Sequence, residues 1–283
     1  MTAILPETGF LGFFDILGYT QIMLNNKIHV TAQFVSDTLV NIPHDIIRGL
    51  RHEHKAGQGS AEGDASQTWE SMLDKIKWII FSDSILVSMP FEHDGDTDHL
   101  LQHYAAFATV CASLLNRSFT AGFPLRGAIS VGEFFIEDRC FAGRPIISAY
   151  ALAQELELSG CVLDDEASAL ISNIRREIVR SGDENLRTIL DQTTILYLVP
   201  MKNKSDLRHR MINWVNLDVP GFTPLSGETR DLVTRSFLMH NKIALPAVQG
   251  KINNTEMFIR HVQTNLEIHP WSLNQTAFHP RQD

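Results

Sequence analysis

The segment that most restricts the fold of this chain is Phe10-Leu11-Gly12-Phe13-Phe14-Asp15-Ile16-Leu17-Gly18-Tyr19-Thr20. An apolar run from Phe10 to Phe14 ends in a single carboxylate, and the chain then turns through Leu17-Gly18. This pattern predicts a buried strand that delivers Asp15 to its rim, then a tight turn into a helix. A carboxylate so placed can hold a hard cation, and the amides of Leu17, Gly18, Tyr19 and Thr20 can hold phosphate at the helix start. An aspartate at a strand end is equally a turn or cap residue. A second carboxylate elsewhere in the chain decides between these readings.

The chain has 283 residues, 44% hydrophobic and 20% charged, enough for one large domain or a domain with an extension. No apolar run approaches the roughly 20 residues needed to span a membrane. The N-terminus lacks the basic region and apolar core of a secretory signal. Cys111, Cys140 and Cys161 stand in no CxxC or other zinc spacing, so a reduced, cytoplasmic protein is expected. A formal charge of −9 argues against a general nucleic-acid surface. A polyanionic substrate would need a metal ion or local arginines.

Residues 28–50 carry apolar positions at helical spacing, with Pro43 expected to break or kink the run. A mobile loop is expected over about 52–72, rich in Gly, Ala and Ser. Its His52 and His54 are more readily solvated than metal-bound. Lys75 to Pro90 predicts an antiparallel hairpin with Asp83 at the tip. A helix follows over 98–117, then a second hairpin expected to turn at Gly132-Glu133. Helices at 145–158 and 164–179, strands at 161–163, 193–199 and 211–215, and helices at 228–240 and 255–266 complete the reading. The predicted class is α+β, with helices on one side of a mainly antiparallel, ferredoxin-like sheet. The expected division is a core over 8–200 and a C-terminal extension over 201–283 that packs on the core or on a dimer.

Asp15 and Asp83 each end an apolar strand, and neither has a basic neighbour in sequence. If the first strand lies beside the hairpin, the two carboxylates converge and a divalent cation relieves their repulsion. With a backbone carbonyl such as that of Ile16, they can hold one or two magnesium or manganese ions. Magnesium prefers a site completed by substrate phosphates.

Phe14-Asp15-Ile16-Leu17-Gly18-Tyr19-Thr20 resembles the first metal-binding motif of the class III nucleotidyl cyclases. Phe81-Ser82-Asp83-Ser84 resembles their second, where Ser82 stands at a position commonly Gly. Leu125-Arg126-Gly127-Ala128-Ile129-Ser130-Val131-Gly132 resembles their Leu-Arg-x-Gly-x-x-x-Gly segment, with the first Gly displaced. Cys140-Phe141-Ala142-Gly143 occupies the place of a later motif. The resemblance spans roughly residues 10–163. It implies a homodimer with composite sites and two divalent ions, Mg2+ or Mn2+, at Asp15, Asp83 and the Ile16 carbonyl. A ribose 3′-hydroxyl then attacks the α-phosphate of a nucleoside triphosphate, releasing pyrophosphate.

The family's base-reading Lys falls on Ile79 and its base-reading Asp on Cys140. Its transition-state Asn and Arg fall on Ile147 and Ala151. Ile79 and Cys140 would line an altered base pocket, which Lys77 approaches from the same strand face. Arg126, Arg139 and Arg144 are candidates for the missing arginine, and Arg126 is equally a structural partner for a carboxylate. The chain looks like the pyrimidine cyclases of bacterial Pycsar anti-phage systems. That resemblance implies cyclic UMP or cyclic CMP as product, with uridylate favoured, acting on a separate effector protein. The alternatives are a catalytically silent nucleotide-binding or dimerisation module and an adenylate cyclase with atypical base contacts.

Overall fold

A computed structural model describes residues 5–57, 64–92, 96–137, 140–203, 208–217 and 222–268. The first strand, β1 (Glu7–Ile16), is buried along its whole apolar stretch because it lies in the middle of the sheet with side chains packed on both faces. Phe10 packs against Phe91, Tyr104 and Phe107 at centroid distances of 4.9, 5.5 and 5.6 Å, tilted to the first two rings and stacked on the third. Phe13, on the opposite face, meets Tyr150 edge-on at 5.2 Å.

The turn after β1 enters α1 (Tyr19–Asn25) through Gly18, whose φ of 82° is open to glycine at little cost. Helix α2 (Ile28–Phe34) passes into a π-helical turn (Val35–Val40) and then α3 (Asn41–Gly57). Pro43 therefore does not end the helical run. The widened turn lies just before the residue that has no N–H and whose ring crowds the preceding turn. Helix α4 (Asp64–Asp74) follows and buries Trp69, Met72 and Leu73. Much of the expected 52–72 loop is thus helical, because apolar side chains at helical spacing find the core. Residues 58–63, and the side chain of His54, lie outside what is described.

Strands β2 (Lys77–Phe81) and β3 (Ser84–Pro90) form the expected hairpin around Ser82-Asp83. Ser82 has φ 55°, a left-handed conformation that glycine adopts more cheaply, which explains a glycine preference at that turn position. Helix α5 (Thr97–Thr120), capped by the Asp96 side chain, crosses the sheet face that carries Phe10.

Strand β4 (Leu125–Glu137) runs unbroken through Gly132, which pairs with Gly9, and its hairpin partner is β5 (Cys140–Gly143). The expected turn at Gly132-Glu133 is therefore absent from those positions, and the link between β4 and β5 lies outside the described residues. Pairing to β1 on both sides of Gly132 outweighs the local turn signal. Gly127 has a firm steric reason: a Cβ there would come within 2.4 Å of the Phe14 ring.

Helix α6 (Arg144–Glu155) returns along β1 and β4 on the Phe13 face, so a helix also covers the side opposite α5. Then come β6 (Gly160–Leu163), α7 (Asp165–Ser181), α8 (Glu184–Thr193), β7 (Thr194–Leu198), β8 (Arg208–Ile212), α9 (Thr229–Leu238) and α10 (Pro246–Ile268). Helix α8 was not anticipated from the sequence. The sheet order is β2-β3-β1-β4-β6-β8-β7, with β5 beside β4. Its first four strands are antiparallel neighbours in the order of a ferredoxin-like βαββαβ unit, giving a mixed α+β fold. Strand β8 sits between β6 and β7, so the sheet continues past residue 200. No helix among the described residues is long and apolar enough to cross a membrane.

Candidate active site

Asp15 ends β1 directly opposite Ser84 on one side and Arg126 on the other. The hairpin turn is tied to this end by the Ile16 N–H, which donates to the Asp83 carbonyl at 3.0 Å. Asp15 and Asp83 therefore meet at one end of the sheet, where the first strand does lie beside the hairpin. Residues paired across an antiparallel ladder have Cα atoms only about 4.5–5.5 Å apart, and Asp83 is next to one such residue.

Arg126 pairs with the Asp15 carboxylate. Its Nε and Nη2 donate to Asp15 Oδ2 at 2.9 and 2.7 Å. Side chains on both sides are nearly enclosed, 12% exposed for Asp15 and 13% for Arg126. Gln154, near the end of α6, completes the group. Its carbonyl accepts from Arg126 Nη1 at 3.2 Å, its Oε1 accepts from Nη2, and its Nε2 approaches Asp15 Oδ2 at 3.4 Å. The contacts that reach Asp15, from Arg126 Nε and Nη2 and from Gln154 Nε2, all fall on Oδ2. Oδ1 accepts no hydrogen bond from the described residues.

Helix α1 brings the Tyr19 phenol beside the hairpin turn. Burial first, and then the Asp83 charge, raise its pKa, against a hydrogen bond with Ser82 that lowers it. Asp83 itself is half-buried. The phosphate candidates divide. The Leu17 amide donates to the Pro124 carbonyl at 2.9 Å and is already used, whereas Gly18, Tyr19 and Thr20 lie at the cap and first turn of α1, where helix geometry leaves N–H groups without partners inside the helix.

Behind that turn lies a residue that no sequence motif singles out. Lys242 is 7% exposed, its Nζ donating to the Gly122 and Ser236 carbonyls at 2.6 and 3.0 Å. Its stem packs against Gly18, where an added Cβ would lie 3.0 Å from the Lys242 Cδ. Burial pushes its pKa down to about 7. The adjoining segment grips α1 as well. Asn26 Nδ2 donates to the His240 carbonyl at 2.8 Å, and the Ile243 N–H to Gln21 Oε1 at 2.6 Å.

The remaining candidates do not join this group within one chain. Lys77 sits at the other end of the hairpin and pairs with Glu7 at 2.8 Å. Ile79 is half-buried opposite Leu86, which itself faces Phe13, two strand spacings or about 10 Å away. Cys140 is exposed and pairs with Glu137, about 35 Å along β4 from Arg126. Arg144 is exposed at the opposite end of α6 from Gln154. Ile79 and Cys140 thus form no pocket in a single chain. Arg139 lies outside the described residues.

The carboxylates suit a divalent ion in one specific way. No group of three or more His, Cys, Asp or Glu able to hold a metal occurs among the described residues. Asp15 and Asp83 would supply two ligands, leaving positions for the Ile16 carbonyl, water and phosphate oxygens, which is the composition magnesium favours.

No protein-family model matches the chain, and no curated protein matches it. Among solved structures, the adenylyl cyclase CyaB from P. aeruginosa aligns at 10% identity and TM-score 0.44, over 74% of this chain and 95% of that one. The guanylyl cyclase Cya2 aligns at 11% identity and TM-score 0.38, over 76% and 98%. A class III adenylyl cyclase-like ATP-binding protein from Pseudomonas aeruginosa aligns at 11% identity and TM-score 0.36, over 94% of this chain and 44% of that one. Likenesses this distant define no family for the chain.

Proposed function

We propose that this protein is a nucleotide cyclase that closes a pyrimidine nucleoside triphosphate, UTP before CTP, to its 3′,5′-cyclic nucleotide and pyrophosphate. The observation that carries this reading is the meeting of Asp15 and Asp83 at one end of β1, where the strand turns into a helix. Asp15 through Oδ1, Asp83 and the Ile16 carbonyl would hold the divalent ions. When bound, such ions lower the pKa of a ribose hydroxyl and stabilise charge at phosphorus. The amides of Gly18, Tyr19 and Thr20 orient the triphosphate.

The base assignment rests on Ile79 and Cys140. Both stand where the resembled purine cyclases carry polar base-reading groups, and a site lacking those groups changes its base choice. The separation of Ile79, Cys140 and Arg144 from Asp15 in one chain favours a homodimer with composite sites. A signalling role in anti-phage defence, through an effector responding to the product, follows from the Pycsar resemblance of the sequence.

Incubation of the purified protein with each of the four triphosphates and Mn2+, with separation of the products, tests the proposal. Cyclic UMP or cyclic CMP is expected. No cyclic product, or predominantly cyclic AMP, refutes it. One observation supports a second reading, a nucleotide-binding module without turnover: Arg126 already neutralises Asp15. That reading predicts triphosphate-dependent thermal stabilisation with no product.

A further inference from the structure

Gln154 touches both members of the buried Asp15–Arg126 pair. It is the penultimate residue of α6, where backbone carbonyls have no partner inside the helix and the helix dipole presents its negative end. Its carbonyl accepts from Arg126 Nη1 at 3.2 Å, so the guanidinium caps that helix end. Its side chain works in both directions: Oε1 accepts from Arg126 Nη2, and Nε2 points at Asp15 Oδ2 from 3.4 Å. The three groups come from β1, β4 and α6, three elements that are themselves packed together.

We infer that Gln154 is a positioning residue for the metal site: it fixes Arg126 against Oδ2 of Asp15 and thereby holds Oδ1 free and aimed for a divalent cation. The inference rests on Asp15 being a metal ligand. A carboxylate at a strand end rotates about two torsions, and a ligand that must be ordered as the ion arrives binds less well. Hydrogen bonds to a ligating carboxylate from groups outside the coordination sphere are worth about 10–100-fold in metal affinity. Gln154 is neutral, so its replacement alters geometry and leaves both charges in place. The opposite arrangement, in which Arg126 competes with the metal for Asp15, predicts the opposite sign.

Mn2+ binding to the full-length protein without nucleotide, measured by the loss of free-ion EPR signal, reads this directly. Gln154→Leu is expected to weaken Mn2+ binding about tenfold, with an unfolding midpoint close to wild type. Gln154→Met, unbranched like the native side chain and likewise without its amide, is expected to lose as much affinity, which separates loss of the hydrogen bonds from a packing effect of the branched Leu side chain. Unchanged or tighter binding in Gln154→Leu overturns the inference, as does full affinity in Gln154→Met. Asp15→Asn serves as the reference. If it binds Mn2+ as well as wild type, the metal assignment falls and this inference with it, whereas weaker binding in Asp15→Asn beside unchanged Gln154→Leu sinks the inference alone.

Discussion

Strand β1 carries a carboxylate near each end, and both are ion-paired, but they sit in different physical worlds. Glu7 pairs with Lys77 where the side chains are 38% and 42% exposed. Asp15 pairs with Arg126 where they are 12% and 13% exposed. In water-accessible surroundings such a pair contributes about 0–1 kcal/mol and is screened by salt. Removing one partner of an enclosed pair leaves a stranded charge, which costs about 3–5 kcal/mol. The difference separates a solvated strand end from a constrained one. Only at the Asp15 end do a hairpin turn, a helix start and a helix end meet around the carboxylate.

The largest effect that tests this contrast is loss of Asp15. Asp15→Asn is expected to abolish cyclic-nucleotide formation. Asp15→Ala should in addition lower unfolding stability by about 3–5 kcal/mol, because Arg126 remains enclosed without its partner. Adding Arg126→Met should recover much of that stability and none of the activity. Denaturant titration and product assay together check all three. Asp83→Asn comes next. It should abolish product as well, yet shift stability by no more than about 0.5 kcal/mol, since Asp83 is half-buried in a turn with its carboxylate outside the Asp15–Arg126 pair. Retained activity in either aspartate variant breaks the metal assignment.

Lys242 extends the contrast to a buried cation with no carboxylate partner among the described residues. Its pKa falls from 10.5 to about 7 through burial. Between about pH 7 and pH 10 the unfolded chain therefore binds a proton that the folded chain does not, and stability rises with pH. Below about pH 7 both states are protonated and the burial penalty is felt in full. The slope contributed is at most about 1.4 kcal/mol per pH unit. Lys242→Met should flatten this limb in thermal unfolding curves taken from pH 6 to pH 10. An unchanged slope would mean that another group is responsible.

The sequence made the β1 end legible for a local reason: Phe10 to Gly18 states strand, carboxylate and turn in succession, and Lys75 to Pro90 states a hairpin. Their adjacency followed from the order of elements. What stayed hidden depends on contacts across the fold. Arg126 is open to two roles in the sequence, and only the strand register shows that it lies opposite Asp15. Gln154 is one polar residue on an amphipathic helix, and no spacing rule marks it as the end that meets a strand. The place of β8 between β6 and β7 is a non-local pairing. Lys242 looks like a surface lysine in a tail, because a buried lysine held by main-chain carbonyls has no signature in sequence. The continuation of β4 through Gly132 likewise reflects pairing to β1 that overrides a local turn preference.

The smallest effect belongs to the exposed pair, and it sharpens the contrast most cleanly. A double-mutant cycle on Glu7→Ala and Lys77→Ala, read as unfolding stability, should give a coupling of about 0–1 kcal/mol. Raising the salt to 1 M shortens the screening length to about 3 Å and should erase it. The same cycle on Asp15 and Arg126 should keep most of its coupling at high salt, because ions do not enter between nearly enclosed side chains. If both couplings vanished together, the Asp15 end would be as solvent-accessible as the Glu7 end. The argument that its carboxylate is held in one orientation would then lose its physical basis.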